Sequence, residues 1–428
     1  MRILILGSGA REHAIVKSLL SEDESHEVFV APGNAGIARE TPVVDIDPLD
    51  PVAVADFAVE RAVELVVVGP EAPLIAGVAD PLRERGIAVF GPGKAAAQLE
   101  GSKAFAKRIM DEAGVPTGRA VRAATLAEAE AALDEYGAPY VVKADGLAAG
   151  KGVLVTPDRG AALAHATRWL EHGAVLVEEF LDGPEVSLFL LSDGHEVLPL
   201  SPAQDYKRLL DGDAGPNTGG MGAYSPLPWL PGTFVDEVVE TIALPTVRRL
   251  EAEQTPFIGL LYCGLVVTAS GVKVIEFNAR FGDPETQVVL ARLTTPLSRL
   301  MLAAATGGLA GLPRPEFASE VAVTVVLASE GYPEKPITGR PLAGLDAAEA
   351  VPGVWVDHAA TEVGTLPDDG LHGSWTAESL IATGGRVLSV VALGSDFAEA
   401  RERAYDAIGK IHLEGGQYRT DIAARVAR

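Results

Sequence analysis

Four short apolar runs, "RILIL", "EVFV", "ELVVV" and "IAVF", each pass straight into a glycine or proline turn within the first 93 residues. Helical stretches ("AREHAIVKSLL", "DPVAVADFAVERA", "LIAGVADPLRERG") alternate with them. An uninterrupted apolar strand must be covered on both faces, so this alternation predicts a parallel, doubly wound α/β domain over residues 1–101. Ligands in such sheets bind at the carboxyl ends of the strands, where the turns lie.

The pattern then changes. A helix at "GSKAFAKRIMDEAGVP" leads into "AVRAAT", "LAEAEAALDEYG", "PYVVKAD", "GVLVT", "GAALAHATRWLEH" and "AVLVEEFL", which predict a compact α+β lobe at about 120–190. Longer hairpin runs follow ("EVSLFLLSDGHEVLPLSP", "LLYCGLVVTASGVKVIEFN"), the second with a Ser-Gly turn signal at "TASGVK". Residues 102–325 read as one domain containing the lobe, and 326–428 as a small β-rich domain. With 428 residues, several domains are expected rather than one core.

Composition restricts the partners. The net charge of −24 opposes binding to nucleic acid or an anionic membrane, both of which need a basic surface. An anionic small substrate must therefore meet a local cluster of cations. Cys263 is the only cysteine and sits in an apolar run, so it reads as a small buried hydrophobe rather than a nucleophile. The chain opens directly on "RILILGSGA", without a signal-peptide pattern, and no apolar window is long enough to span a bilayer; a cytoplasmic protein is expected.

Familiar motifs fail in informative ways. "ADGLAAGKGV" resembles a P-loop, but Gly146 and Gly150 enclose three residues instead of four, and Lys151 is followed by Gly152 instead of Ser or Thr. "GSGARE" lacks the third glycine of a dinucleotide fingerprint, which Glu12 replaces. What survives there is a helix N-terminus at Gly9, Ala10 and Arg11 able to receive one phosphate. No HExxH, paired CxxC or GxSxG supports zinc or serine chemistry.

Four other segments carry phosphate and metal chemistry. Lys103 lies near a helix start, and Lys143 ends an apolar strand, where it needs an anion. The loop with Gly150, Lys151 and Gly152 lets backbone N–H groups approach phosphate. In "VEEFLDGPE", backbone groups at Glu179 and Leu181, next to Glu178, suit a purine edge, and Glu185 suits ribose hydroxyls. In "VIEFNARFGDPE", Glu276 and Asn278 share a strand face and offer the hard oxygens that Mg²⁺ or Mn²⁺ prefers. Arg280 shares that face and can grip a carboxylate.

This order of segments resembles the ATP-grasp superfamily and, within it, the glycinamide ribonucleotide synthetase family. The supporting strings are "LGSGAREHA", "APGNAG", "VVGPEAPL", "KADGLAAGKGV", "SPAQDYKRLLDGDAGPNTGGMGAYSP", "IEFNARFGDPETQ" and "SEGYP", in the family's order from residue 6 to residue 333. The resemblance implies an ATP-grasp core whose small lobe is a lid, with the glycine loop closing over the phosphates. It implies ATP-dependent ligation of glycine to 5-phosphoribosylamine through glycyl phosphate, by a monomer acting on small molecules. Lys103 and Lys143 would offset phosphate charge, and Arg280 would steady the glycine carboxylate or acyl phosphate. Asp205 and Asp213 would hold the glycine ammonium or the attacking amine. Phosphoribosylamine would lie against Gly9, Ala10, Arg11, Asn34, Gly36 and Glu71, with the turn at Tyr332 closing the pocket. "YCGLVVTA" lacks the extra metal carboxylate of many ATP-grasp enzymes, so the ion would arrive largely with ATP. A different ATP-grasp ligase or carboxylase, and a non-catalytic nucleotide sensor, are the competing readings.

Overall fold

The computed structural model describes residues 1–146, 152–365 and 378–427. Two expected site residues, Gly150 and Lys151, lie outside these.

The first four strands, Arg2–Gly7, Glu27–Pro32, Leu65–Val68 and Ala88–Phe90, form a parallel sheet in which the first strand lies between the second and third. The strand order reverses there, which opens a crevice between the turns at Gly7 and Gly69. Helix Ala10–Leu20 has the expected bounds. The helix expected over "LIAGVADPLRERG" is instead two, Glu71–Ala76 and Ala79–Glu84. Gly77 divides them at φ +93°, a left-handed cap that only glycine takes readily. Asp50 caps helix Pro51–Glu60 by accepting from the N–H groups of Val52 and Ala53.

Helix Lys103–Glu112, capped by Ser102, leads to the small lobe. Strands Ala120–Ala123, Val175–Glu178, Tyr140–Ala144 and Val153–Thr156 pair antiparallel in that spatial order. Helices Leu126–Tyr136 and Arg159–Leu170 close a separate core around Leu133, Val142, Ala166 and Val177. A lobe with its own core can move as a body.

The central sheet runs Val197–Pro199, Glu185–Asp193, Ile258–Thr268 and Gly271–Asn278, all antiparallel. Its last hairpin turns on Ala269–Ser270, one residue before the expected Ser-Gly pair, and Gly271 enters the strand at φ +113°. The final sheet joins Gln204–Asp205, Gly222–Ser225, Val321–Ala328, Arg386–Gly394 and Val354–His358, with helix Phe397–Ile408 packed on it. A domain boundary at 325/326 would fall inside the strand Val321–Ala328, which belongs to this sheet. Two of its strands come from the 204–225 region, because an edge can recruit any strand in register.

Cys263 lies within the central strand Ile258–Thr268, fully buried, and that burial pushes its thiol well above its ordinary range. We therefore expect no reaction of the native protein with a thiol reagent, and one thiol per chain after denaturation. Rapid stoichiometric labelling of the native protein would contradict this packing.

Candidate active site

A cavity of about 560 Å³ opens where all three units meet. The crevice of the first sheet supplies Arg11 and Glu71, and helix Lys103–Glu112 supplies Lys103 and Lys107. The lobe supplies Lys143, Gly152 and Glu178; the central sheet supplies Glu276, Asn278 and Arg280. The C-terminal unit closes it with Tyr332 and Arg386. Among the described lining residues, seven cations face seven carboxylates, in a chain whose net charge is −24. Here is the local cationic cluster that an anionic substrate needs.

The lysines are already engaged. Lys143, only 4% exposed, donates to Ile275 O at 3.1 Å and pairs with Glu178 at 2.9 Å. Lys107 pairs with the same carboxylate at 3.3 Å and donates to Gly118 O at 2.9 Å. Lys103 donates to Gly146 O at 2.9 Å. Burial lowers the Lys103 and Lys107 ammonium groups, with Glu276 and Glu178 respectively opposing. Ligand phosphates that take over these donors meet cations that are already in place.

Burial pushes the Glu276 carboxyl up, but Lys207, Lys143, Lys103 and Arg280 pull it on balance below its ordinary range. An ionised carboxylate beside the Asn278 amide oxygen is an oxygen donor set suited to Mg²⁺ or Mn²⁺. Among the described residues no three His, Cys, Asp or Glu side chains converge to hold a metal, so further oxygens must come from outside the chain.

Arg280 joins two units. It pairs with Glu100 at 2.9 Å and with Glu71 at 3.3 Å, while Glu100 also accepts the Ala279 N–H at 2.7 Å. Burial pushes Glu71 up, and Arg280 pulls it below its ordinary range.

Several expected residues stand elsewhere. The Gly9 N–H donates to Glu12 Oε2 at 2.6 Å, and Glu12 is 1% exposed between Gly7 and Gly69. The carboxylate that replaces the third glycine thus takes up the Gly9 N–H, and Ala10 is buried behind it. Asn34 spends its side chain on structure: Nδ2 donates to Ser8 O and His358 O, and Oδ1 accepts from Gly36 and Ile37. Gly36 lies where a Cβ would meet the His358 ring at 2.3 Å. Both residues join the first unit to the C-terminal sheet, beside a separate cavity of about 470 Å³ that Asn34 lines. The Glu179 N–H donates to Arg119 O at 2.9 Å, leaving its carbonyl as the group for a purine edge. Neither Leu181 nor Glu185 is among the lining residues, and Glu185 accepts from Lys207 Nζ at 2.7 Å. Asp213 is outside the cavity and pairs with Arg419 and Arg425.

Lys107, Lys207, Glu285 and Arg386 also line the cavity without having been expected. Lys107 had a signal, four residues after Lys103 on one helix. Lys207 had one too, two after Asp205 in an extended stretch. Arg386 had none; it donates to Gly219 O and Asp283 O, carbonyls more than a hundred residues away.

Asp205 is walled in beside Glu285, whose carboxylate accepts from Ser187 and Tyr262 at 2.9 Å each. Burial, with Glu285, Glu185 and Glu276 adding to it against Lys207, pushes Asp205 from its ordinary 3.8 up to about 8. A raised carboxyl contributes its stability fully below pH 3.8 and loses it as pH rises through about 8. Asp205→Asn should therefore gain Tm over the parent progressively from pH 5 to 8, with the gain levelling above. Thermal unfolding across pH 5–9.5 checks this, and a pH-independent difference would contradict it.

Comparison with known proteins covers the whole chain. Residues 1–100 match the family model described as phosphoribosylglycinamide synthetase, N domain; residues 101–286 match its ATP-grasp (A) domain and residues 322–425 its C domain. The phosphoribosylamine–glycine ligase of Leifsonia xyli subsp. xyli is 73% identical over 426 residues, covering 99% of this chain and all of that one. The Streptomyces coelicolor protein of the same name is 57% identical over 429 residues, with both chains fully covered. The crystal structure of phosphoribosylamine–glycine ligase from Thermotoga maritima has a TM-score of 0.82 at 33% identity, over 98% of this chain and 100% of that one. The matched family models thus include the N and C domains as well as the ATP-grasp domain.

Proposed function

The chain belongs to the phosphoribosylglycinamide synthetase family, and we propose that it joins glycine to 5-phosphoribosylamine, using ATP, inside the cavity where its three units meet. The observation that carries this reading is Arg280, which follows Glu276 and Asn278 along one strand end and pairs with Glu71 from the first sheet. Acyl activation and acceptor binding are thereby adjacent.

A carboxylate is a poor acyl donor because its oxide leaves badly, so activation precedes amide formation. A glycine carboxylate oxygen attacks the γ-phosphorus, the bond to ADP oxygen breaks, and glycyl phosphate results. The phosphoribosylamine nitrogen then attacks the acyl carbon, phosphate leaves, and a proton leaves nitrogen. Lys103 and Lys143 neutralise the transferring phosphate oxygens, and their fixed positions avoid reorganisation during the step. Glu276 and Asn278 would hold Mg²⁺ or Mn²⁺, which supplies further charge neutralisation between the phosphates. The Glu178–Leu181 segment is the proposed contact for adenine and Glu185 that for the ribose, although Leu181 and Glu185 do not line the cavity. Arg280 steadies the glycine carboxylate as it becomes an acyl phosphate. Asp205, protonated in the empty site near neutrality, gives up that proton as the glycine ammonium docks. Glu71 and the Arg11 side chain face phosphoribosylamine. We take it to act as a cytoplasmic monomer on small molecules, and its acidic charge speaks against nucleic acid as a partner.

Two variants partition these roles in one kinetic experiment. Glu276→Gln should lose roughly a thousandfold in kcat with little change in Tm, the scale of removing one charge-stabilising group from a transition state. Glu71→Gln should raise the KM for phosphoribosylamine at least about tenfold while leaving that for ATP within about twofold, since a tenfold change is about 1.4 kcal/mol, one hydrogen bond to a charged group. Equal changes in both KM values would remove Glu71 from the acceptor pocket.

A further inference from the structure

Among the described residues Arg419 has the largest fully buried side chain, 0% exposed, yet it stands outside the cavity. Its guanidinium is committed on every side. Nε and Nη2 donate to the two Asp421 oxygens at 2.7 and 2.6 Å, and Nη1 donates to Asp213 Oδ1 at 3.0 Å and Arg208 O at 3.1 Å. Its plane lies 4.8 Å over the Tyr206 ring. Tyr206 is the residue between Asp205 and Lys207, and alternation along an extended chain turns it away from the cavity that they face.

The segment fastened in this way cannot fasten itself. Strands Arg208–Leu210 and Ala214–Asn217 form an isolated two-stranded ribbon with an exposed tip, and such ribbons are marginal alone. The chain's end supplies what is missing. Thr420 N donates to Asp211 Oδ1 at 2.7 Å and its Oγ1 hydroxyl donates to Asp211 Oδ2, while Gly212 N donates to Asp421 Oδ2 at 2.9 Å and Ala423 N to Tyr206 OH at 3.0 Å. Gln417 reaches Ser329 O and Tyr332 O, on the other side of the cavity mouth.

We infer that Arg419 and the Gln417–Ala423 segment are positioning elements of the ligase reaction, which hold Asp205 and Lys207 in place through Tyr206. Asp213 then acts through Arg419 rather than on substrate. The inference rests on the proposed role of Asp205 towards glycine, so the experiment includes a variant of that residue.

Steady-state kinetics of Arg419→Met, Arg419→Lys, Thr420→Val and Asp205→Asn separate the possibilities. Arg419→Met should raise the KM for glycine at least tenfold with the KM for ATP within twofold, and Arg419→Lys should recover part of the loss. A purely structural residue would lower Tm and the active fraction but move neither KM. A folded Arg419→Met with an unchanged KM for glycine overturns the inference when Asp205→Asn raises that KM. If both leave it unchanged, the reading of Asp205 fails and the inference falls with it. Should Arg419→Met not fold, Thr420→Val decides: a rise of about threefold in the glycine KM alone supports positioning, and no rise overturns it.

Discussion

Arg280 cannot leave its place without stranding Glu100, a carboxylate buried with one oxygen on the Ala279 N–H and the other on the guanidinium. Removing one partner from a buried pair typically costs about 3–5 kcal/mol, because the charge left behind has neither water nor a counter-ion. Glu71 completes the triad from the turn after the third strand of the first sheet. The end of the strand carrying Glu276 and Asn278 is thereby tied to the crevice at which the first sheet reverses its strand order. In a family whose reaction activates one substrate and hands it to another, this tie fixes the distance between the two halves of the chemistry.

The remaining charges follow the same logic. A net charge of −24 would repel ATP and a sugar phosphate, yet the cavity wall sets as many cationic side chains as carboxyl groups against one another. Its lysines also donate to the neutral carbonyls of Gly146, Ile275 and Gly118, which phosphate oxygens can supplant while Glu178 keeps its ion pairs. Donors preset in this manner need little rearrangement when charge develops, and such presetting is a large part of how sites of this type accelerate phosphoryl transfer.

Much of this was legible in the residues because it is local. Continuous apolar runs specify a buried parallel sheet, and two-residue spacing puts Glu276 and Asn278 on one face of strand Gly271–Asn278, whereas Arg280 lies in the bend beyond its end. Fastenings across the chain were not legible. Asp213 looks like a site carboxylate until Arg419, 206 residues away, claims it. Gly9 looks like a phosphate cradle until Glu12 folds back onto its N–H. Asn34 looks like a ligand contact until it is seen bridging to His358. In each case the residue type suits both tasks, and only tertiary neighbours decide. The strands Gln204–Asp205 and Gly222–Ser225 joined a distant sheet for the same reason, since short strands carry little register information of their own.

The central claim, that one cavity couples ATP cleavage to both glycine and an amine acceptor, is tested most directly by ADP release. Purified protein with ATP and Mg²⁺ would be given glycine, phosphoribosylamine made in situ, or both. Substantial ADP release is expected only when both are present, with a product of the mass of glycinamide ribonucleotide. ADP release at the same rate without glycine, or with another carboxylate in its place, would contradict it.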